Sequence, residues 1–381
     1  MRVVDLSGAR SGPTCTRQLA DMGADVVTVS HPRRADLGGS DALNLNRNKR
    51  SALVDLSTDD GRQILFDLCS RSDVLVENFR PAVKARLGIT PAAVWEHNPR
   101  LVYASISGFG QTGPYADRPG VDQIAQGLGG LMSVTGPPGG GPWRTGIAVS
   151  DTAAGTLLAQ GILAALVARQ RTGRGQWVHT SLLEAMVSFM DFQAARWLND
   201  GEIPQQEGNE HPTITGMGTY AASDGLLNVA AIGSWSRFCT ALGAPELATD
   251  PRFGTHTERL RHRPELHDRL SEILSGSTVT DWVERLNAAG FPAGPVLGVD
   301  EAMDDPQVSH LEMVSEAGEG RVLRHPVTFT ETPASVRSPA PSPGADTREV
   351  LTELGIGEER ITELIAGGVV ATDRSAPAWN A

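Results

Sequence analysis

The sequence predicts an α/β fold built on a parallel sheet, joined to a second and smaller domain. Three observations support this prediction: strand-like and helix-like segments alternate through the first half, apolar residues reach 40% against 20% charged residues, and the chain has 381 residues. Such a composition is typical of a protein with a packed core, and the length exceeds that of most single domains. Alternating strands and helices place helices on both faces of a parallel sheet. Ligands of such sheets bind beyond the carboxyl ends of the strands.

The first half contains four short apolar runs that predict strands, separated by segments with helical spacing. Leu19 and Met22 share one face of the first predicted helix, and Ile64, Leu65 and Leu68 belong to the apolar side of the second. The expected strands are residues 3–6, 25–29, 74–76 and 101–106, and the expected helices are residues 14–22, 59–70, 81–87 and 91–97.

The sequence changes character near residues 201–218, where Gly, Pro, Asn and His replace the periodic pattern. We place a domain boundary there. A large domain is expected over residues 1–200, completed by residues 311–381, and a smaller α+β domain over residues 210–310. The expected later elements are strands at 176–178 and 327–330, a strand pair within 219–232 that turns at Ser223-Asp224-Gly225, helices at 181–198, 236–242, 265–274, 279–289 and 347–354, and a linker at 338–344.

Charge and cysteine content argue against several classes of protein. A net charge of −12 and a pI of about 5.2 disfavour nucleic acid and anionic membranes as partners. Cys15, Cys69 and Cys239 are odd in number and far apart, so neither a disulfide framework nor a zinc site is expected. We expect reduced thiols and a cytoplasmic location, since Met1 leads directly into a strand-like run without an apolar leader.

Residues 146–155 join a polar, Gly- and Pro-rich loop to a long uncharged segment at residues 152–168. That segment contains Gln160 and is shorter than the ~20 residues that span a bilayer, so we predict a buried core helix. Asp151 lies where the helix begins, and the positive end of the helix dipole is expected to keep its carboxylate ionised. Two interpretations follow: Asp151 caps the helix, or it is a nucleophile that attacks without first losing a proton.

Several common ligand and catalytic motifs are incomplete. Residues 108–113 match the glycine spacing of a dinucleotide loop, but residues 114–120 carry two prolines and cannot form the helix that receives a pyrophosphate. Nothing matches a P-loop, a serine nucleophile elbow or a histidine metal motif. His262 and His267, the closest histidine pair, lie in a basic run that predicts solvated surface. No metal site is expected.

Short motifs also follow one another along nearly the whole chain. They include Asp5-Leu-Ser7, Asn46-Arg-Asn-Lys-Arg-Ser51, Val76-Glu-Asn-Phe-Arg-Pro81, Asn98-Pro-Arg-Leu-Val-Tyr103, Ser107-Gly-Phe-Gly-Gln-Thr-Gly-Pro114, Arg171-Thr-Gly-Arg-Gly-Gln176, Asp250-Pro-Arg-Phe253 and Gly290-Phe-Pro-Ala-Gly-Pro295. Together they resemble the family III CoA-transferases, in particular the formyl-CoA and carnitine CoA-transferases, which are related to α-methylacyl-CoA racemases. One such segment carries little information, but the number and order of the segments identify the chain as a member.

The resemblance implies both an architecture and a reaction. The expected architecture is a Rossmann-like large domain with a smaller α+β domain, in a homodimer whose two chains interlock like rings. The expected reaction moves CoA from an acyl-CoA thioester to a carboxylic acid. The family's catalytic aspartate falls on Asp151, which would form an aspartyl mixed anhydride and then an aspartyl-CoA thioester. CoA enters as part of the substrate, so no permanently bound cofactor is expected.

The resemblance also assigns binding residues. Arg10 and Ser11 fall where the family holds the thioester end. The residues that fall where it holds the nucleotide and pantetheine are Val54, Asn78, Phe79 and Arg86. Asp122 falls where it would help to order the active site.

Each of these assignments has a structural alternative. Arg86 could form an ordinary surface salt bridge, Asn78 and Phe79 could form a strand-end turn, and residues 46–50 could be a solvated basic loop. Asp122 alone would be interpreted as a helix cap before Ile124.

The chain departs from formyl-CoA-type members at three places. Their glycine lid corresponds to residues 208–218, which are less rich in glycine, and Arg10 and His31 replace an amide and an arginine. Racemases place a second base where this chain has Val121, and proton removal and return on opposite faces need two bases. A racemase is therefore the weaker alternative. A catalytically silent CoA-binding subunit is a third, and the retained Asp151 argues against it.

Overall fold

A computed structural model describes residues 1–33 and 38–372. Contacts divide the chain into two compact units. The large unit comprises Met1–Leu131, Arg144–Glu202 and Gln307–Ala381, of which residues 373–381 lie outside the described residues. The small unit comprises Met132–Trp143 and Ile203–Pro306.

The strands and helices of the described residues are numbered in chain order. The strands are β1 (Arg2–Asp5), β2 (Asp25–Ser30), β3 (Lys49–Val54), β4 (Val74–Glu77), β5 (Val102–Ser107), β6 (Trp177–Ser181), β7 (Met217–Ala221), β8 (Leu226–Ala230), β9 (Ala293–Pro295), β10 (Val314–Ala317), β11 (Gly320–Leu323) and β12 (Val370–Ala371). The helices are α1 (Ser11–Asp21), α2 (Gly39–Asn46), α3 (Asp59–Ser70), α4 (Pro81–Leu87), α5 (Pro91–His97), α6 (Asp122–Leu128), α7 (Leu131–Val134), α8 (Val149–Thr172), α9 (Leu182–Phe189), α10 (Asp191–Ala195), α11 (Trp235–Leu242), α12 (His256–Arg261), α13 (Arg263–Leu274), α14 (Val279–Ala288), α15 (Val299–Asp304), α16 (Pro306–His310), α17 (Thr347–Glu353) and α18 (Glu358–Ala366).

The large unit is built on a seven-stranded sheet in the order β12-β3-β2-β1-β4-β5-β6. Every neighbouring pair is parallel except β12 with β3. The chain leaves β1 for β2 on one side and reaches β4 on the other. The α/β prediction is thus confirmed, and the change of direction at β1 opens a crevice at the carboxyl ends of the strands, where such folds bind ligands.

Helices cover both faces of this sheet, so the central strands are apolar on both sides. All four residues of β4 and all six of β5 are buried, as expected for parallel strands between two helical layers. On one face, α3, α17 and α18 pack with residues such as Leu65, Leu351 and Ile361. On the other face, α1, α8 and α9 pack with residues such as Leu19 and Ile162.

Glycines allow α1 and α8 to approach closely, and this contact shapes the site described below. A Cβ on Gly155 of α8 would lie 2.5 Å from the Ser11 carbonyl oxygen and 2.9 Å from Thr14 Cβ. A Cβ on Gly12 would lie 2.2 Å from Ser7 Cβ. Any side chain at either position would push the start of α1 away from its neighbours.

The small unit holds an antiparallel sheet in the order β7-β8-β9. The predicted turn at Ser223-Asp224-Gly225 is confirmed, since the Ala222 N–H donates to the Gly225 carbonyl at 2.8 Å. Helices α11, α13 and α14 confirm three predicted segments and contribute Phe238, Leu270 and Trp282 to its core.

Several predicted elements are wrong. The helix expected at 181–198 is interrupted after Phe189, because Asp191 has φ +42°; a five-residue π-helical turn, Arg196–Asp200, then follows α10. Residues 327–330 form no strand. The solvated basic loop expected at 46–50 is also wrong in part, because Lys49 and Arg50 belong to β3.

Helix α8 is longer than the sequence predicted. The sequence predicted a helix over residues 152–168, but α8 has 24 residues and begins at Val149. By length and composition alone it could cross a membrane. A single helix of this kind is weak support for a membrane span, and one face of α8 packs into the core through residues such as Ala154 and Leu158.

Candidate active site

Asp151 lies in the first turn of α8 but does not cap it. The N-cap residue is Ala148, which makes no side-chain capping bond. The capping group comes from α6: the Asp122 Oδ1 atom accepts the Ser150 backbone N–H and the Ser150 hydroxyl, both at 2.9 Å. The capping interpretation of Asp151 is therefore wrong, and so is that of Asp122 as a cap of its own helix, because the N-cap residue of α6 is Val121 and makes no side-chain cap bond.

The start of α1 supplies the hydrogen bonds that Asp151 accepts. The hydroxyl and the backbone N–H of Ser11 interact with the Asp151 carboxylate and lower its pKa. Arg10, the residue before, lowers that pKa further through its positive charge. The close packing at Gly155 brings Ser11 to α8, so the two helices assemble the group together.

Burial nevertheless dominates the protonation of Asp151. Burial, followed by the negative charge of Asp122, raises the pKa of Asp151 to about 6. The helix dipole was expected to favour the ionised carboxylate and so to lower its pKa, but desolvation raises the pKa by more. At neutral pH most of the group is still ionised, because a pKa near 6 lies about one unit below pH 7.

Three buried polar residues, Asp5, Thr16 and Lys49, support the β1–α1 loop. We call these three residues the floor. Asp5 and Lys49 are fully buried, and their carboxylate oxygen and Nζ lie 3.2 Å apart. Lys49 Nζ also donates to the Thr16 hydroxyl at 2.8 Å and to the Pro13 carbonyl at 3.3 Å. Asp5 accepts the Ser7 backbone N–H at 3.0 Å. The floor therefore fixes the loop that leads to Ser11.

Asn78 fastens the same loop from the side. Its Oδ1 accepts the Gly8 N–H at 3.0 Å, and its Nδ2 donates to the Gly8 carbonyl at 2.7 Å. Beside it, buried Glu77 accepts the Phe79 backbone N–H at 2.7 Å and pairs with Lys84 Nζ at 3.0 Å. The turn after β4 thus holds the turn after β1, which is more than the strand-end turn that the sequence offered as an alternative.

A cavity of about 430 Å³ opens at the carboxyl ends of β1 to β4. Predicted residues Val54, Phe79 and Arg86 line it. Its remaining walls are Leu6, Val29, Ser30, His31, Asp55, Leu56, Ser57 and Leu87. The apolar walls suit a flat ring, and the charged groups lie toward solvent.

His31 and Arg86 are exposed at this cavity and Asp55 is half-buried; we call these three residues the rim. His31 Nε2 lies 3.4 Å from Asp55 Oδ1, with 43% of the His31 side chain exposed. Hydrogen bonds from Ser57 are the main cause that lowers the pKa of Asp55. Arg86 is exposed and has no ion-pair partner within residues 1–33 and 38–372, so the salt bridge offered as its alternative role is absent there.

The profile of CoA-transferase family III matches residues 1–347. The chain belongs to this family. A succinate–glutarate CoA-transferase from Agrobacterium fabrum is 35% identical, over 95% of this chain and 96% of the relative. A formyl-CoA:oxalate CoA-transferase from Streptomyces coelicolor is 35% identical, over 97% and 98%. A solved CaiB/BaiF family protein from Brucella suis is 33% identical, with a TM-score of 0.84 over 93% of this chain and 98% of that one.

The family III assignment confirms the resemblance on which the sequence analysis relied, and it agrees with the α/β architecture. It makes the chain a CoA-transferase. All eight predicted site residues belong to the large unit. Arg10, Ser11, Asp122 and Asp151 form one group around the start of α8, whereas Val54, Phe79 and Arg86 line the cavity and Asn78 holds the loop between them.

Sequence reasoning missed the residues that build the site without facing it. Lys49 was assigned to a loop because a cluster of cations usually marks solvent exposure. Gly155 was part of the motif around Asp151, yet its role needs α1 beside it. Arg144 was also missed; its Nη2 lies 3.3 Å from Asp122 Oδ2. In the part of the chain that the structure describes, no His, Cys, Asp and Glu cluster could hold a metal.

Proposed function

We propose that this family III member moves CoA from an acyl-CoA thioester to a carboxylic acid, with Asp151 as the covalent nucleophile. The observation that carries the proposal is the state of Asp151. It is a half-buried carboxylate whose pKa is about 6, raised by desolvation and the charge of Asp122 and lowered by Ser11 and Arg10. Such a group is ionised at neutral pH yet weakly solvated, which favours attack on a carbonyl carbon.

The reaction proceeds in two symmetrical halves. An Asp151 carboxylate oxygen attacks the thioester carbonyl, the C–S bond breaks, and CoA thiolate leaves a mixed anhydride. The thiolate then attacks the aspartyl carbonyl, which frees the donor acid and forms aspartyl-CoA thioester. The acceptor carboxylate attacks that thioester, and the released thiolate attacks the acceptor carbonyl of the second anhydride. This regenerates Asp151, and no step requires a proton.

Three features of the large unit support this chemistry. The Ser11 donors fix the carboxylate, and proximity of bound reactants contributes roughly 7–11 kcal/mol. Asp122 holds the first turn of α8 in place through Ser150. The start of a helix also leaves backbone N–H groups without partners inside the helix, and such donors stabilise tetrahedral oxyanions.

CoA is proposed to occupy the cavity, with its phosphates toward Arg86 and its thioester end toward Arg10 and Ser11. A free guanidinium suits phosphate oxygens because it donates several charge-assisted hydrogen bonds. Val54 and Phe79 supply apolar walls for the nucleotide. Asn78 contributes by holding the Gly8 loop, and Asp122 by holding Ser150 in the first turn of α8.

We also propose the interlocked homodimer. Large apolar side chains remain exposed along α8 to α10 and the π-helical turn of the large unit, and extended apolar patches mark interfaces. They are Leu163, Val167, Val187, Phe189, Phe192, Trp197 and Leu198. Interlocked chains bury a very large area and do not separate. Sedimentation of a stable folded monomer at micromolar concentration would contradict this.

The names of the relatives suggest the first substrates to test. Succinyl-CoA with glutarate follows the Agrobacterium fabrum relative, and formyl-CoA with oxalate follows the Streptomyces coelicolor relative. A cytoplasmic location, without nucleic acid or membrane partners, remains part of the proposal, on the grounds of net charge.

The test is a transfer assay in heavy water followed by mass spectrometry. New acyl-CoA made from the added acid, without deuterium at the donor's α-carbon, supports a transferase. Deuterium exchange of a 2-methylacyl-CoA without transfer would identify a racemase instead. If neither occurs with any donor and acid, the chain is a silent CoA-binding subunit and the proposal is wrong.

A further inference from the structure

Arg144 is the residue at which the chain returns from the small unit to the large unit, shortly before α8 begins. Its Nη2 lies 3.3 Å from the Oδ2 atom of Asp122, and 41% of its side chain is exposed. A half-exposed ion pair of this kind contributes little to folding stability. The pair is nevertheless connected to the reacting carboxylate by a short series of hydrogen bonds.

The Asp122 carboxylate divides its two oxygens between two sets of donors. Its Oδ1 accepts the backbone N–H and the hydroxyl of Ser150, both at 2.9 Å. Its Oδ2 accepts Gln126 Nε2 at 2.7 Å and Arg144 Nη2 at 3.3 Å. The two oxygens belong to one rigid group, so the donors that hold Oδ2 also fix the direction in which Oδ1 points. They thereby fix the first turn of α8, in which Asp151 follows Ser150.

Gln126 connects the same carboxylate to the backbone beside Arg144. Gln126 is fully buried, and its Oε1 accepts the Thr145 backbone N–H at 3.1 Å. The Thr145 hydroxyl donates to the same oxygen at 3.2 Å. In the part of the chain that the structure describes, Arg144 is the one cation paired with Asp122. Gln126 therefore supplies neutral hydrogen bonds, and Arg144 supplies the positive charge.

That charge matters because Asp122 and Asp151 are both carboxylates. The negative charge of Asp122 raises the pKa of Asp151, second only to burial, while Ser11 and Arg10 of α1 lower it. Like charges that lie close together disfavour ionisation of one another. A guanidinium paired with Asp122 opposes this repulsion and leaves Oδ1 available to Ser150.

We propose that Arg144 is a positioning residue for CoA transfer: by pairing with Asp122, it holds the carboxylate that fixes the first turn of α8 and, with it, Asp151. The inference rests on the proposed function, since it concerns Asp151 as the nucleophile. Arg144 acts through Asp122 and does not touch substrate. Removing it should therefore alter the chemical step and leave the affinity for the acyl-CoA donor unchanged.

The far end of the same helix is anchored by a separate ion pair, which provides a matched control. Arg169, in the last turn of α8, has its Nη2 atom 2.8 Å from Asp73 Oδ1. At a rise of ~1.5 Å per residue, it lies about 27 Å from Asp151. Arg169→Gln should therefore lower the thermal midpoint without changing the pH profile of transfer.

The experiment measures transfer from succinyl-CoA to glutarate by Arg144→Gln across a range of pH. We expect kcat to fall about tenfold, the loss of one hydrogen bond to a charged group, with the KM for succinyl-CoA unchanged. The rise of kcat/KM with pH should move about half a pH unit higher, because the Asp122 charge is no longer opposed. Arg144→Lys keeps the charge but not the planar guanidinium, so it should restore the wild-type pH profile and only part of kcat.

A double-mutant cycle tests whether Arg144 acts through Asp122. Residues that act through a single contact are not additive, so Arg144→Gln should cause no further loss of kcat in an Asp122→Asn background. A second readout needs no substrate. The gain in thermal midpoint that Asp151→Asn produces at pH 8 should be larger in an Arg144→Gln background than in wild type, because the ionised Asp151 then faces an uncompensated charge.

The outcomes separate the two proposals. An unmoved pH profile in Arg144→Gln overturns the role of Arg144 and leaves CoA transfer intact. A donor KM that rises while kcat stays constant, or a full further loss in the Asp122→Asn background, overturns it as well, because Arg144 would then act on substrate directly. Absence of transfer by wild-type enzyme with every donor and acid overturns the proposed function itself. The thermal comparison then still decides whether Arg144 acts on Asp151.

Discussion

The floor and the rim of the large unit use charged residues in opposite ways. The floor pairs Asp5 with Lys49 in full burial, and every partner is a protein group. The rim leaves Arg86 and much of His31 in solvent, where a ligand can reach them. Buried pairs are costly to break and hold geometry, whereas exposed charges stabilise little. The comparison indicates that the fold fixes the start of α1 beside Asp151 before substrate binds, and we propose that affinity for CoA depends on the rim.

The largest expected effect comes from Asp151→Asn. Asp151 belongs to neither the floor nor the rim and lies where α1 and α8 meet. Asparagine keeps the size and the Ser11 contact but lacks the anionic oxygen. We expect kcat to fall at least about a thousandfold, measured with succinyl-CoA and glutarate. Asp250→Asn on the small unit is the matched control and should transfer CoA at the wild-type rate.

The stability of Asp151→Asn should change in a direction that reveals the burial of the carboxylate. The pKa of Asp151 is raised from 3.8 to about 6. An acid with a raised pKa in the fold destabilises it above about pH 6, and this penalty vanishes below its ordinary pKa. Thermal unfolding should therefore show a higher midpoint for the variant at pH 8 and no gain near pH 4. A gain that is equal at both values would argue against the raised pKa.

Breaking the floor should affect stability more than chemistry. Lys49→Met leaves the Asp5 carboxylate buried without its cation, which costs about 3–5 kcal/mol. The thermal midpoint should drop clearly, and Asp5→Asn with Lys49→Met should recover part of it. Arg348→Met, which breaks an exposed ion pair with Glu358, should barely move the midpoint. If Lys49→Met and Arg348→Met behave alike, the floor has no special role.

Breaking the rim should affect binding and leave the fold intact. Arg86→Ala should raise the KM for the acyl-CoA donor about tenfold, the smaller end of a charge-assisted hydrogen bond, with little change in kcat. Its thermal midpoint should match wild type because Arg86 has no partner in the described chain. A normal donor KM in this variant removes Arg86 from the binding site.

The smallest expected effect is a shift of the pH profile. Only ionised Asp151 attacks, so kcat/KM should rise with pH through about 6 and then level off. Asp122→Asn removes a charge that raises this pKa while keeping an oxygen for Ser150. The rise should then occur at lower pH, and an unmoved profile would show that Asp122 acts on structure alone.

The sequence predicted the elements that local pattern determines. Helix α3 was expected at the residues where it lies, since apolar spacing defines it. Lys49 could not be assigned, because its partner Asp5 is 44 residues away and a cationic run resembles a solvated loop. The helix is interrupted before Asp191 because this residue has a positive φ, and the presence of an aspartate in the sequence does not predict that conformation.

The candidate site shows the same division. Asp151 was identified by family resemblance, whereas its local context left both a cap and a nucleophile open. The true capping group, Asp122, lies 28 residues before Ser150 and reaches it only through tertiary packing. Arg10 was assigned to the thioester end by resemblance, whereas its pairing with Asp41 required the structure.

The central claim, that Asp151 becomes covalently acylated, is tested most directly by trapping. Enzyme incubated with succinyl-CoA and then hydroxylamine should convert Asp151 to a hydroxamate, because an aspartyl thioester or anhydride reacts with this nucleophile. Peptide mass spectrometry should locate the modification on the segment that begins α8, and it should be absent from Asp151→Asn. A hydroxamate on another carboxylate, or an unmodified Asp151 in enzyme that transfers CoA, would contradict the account.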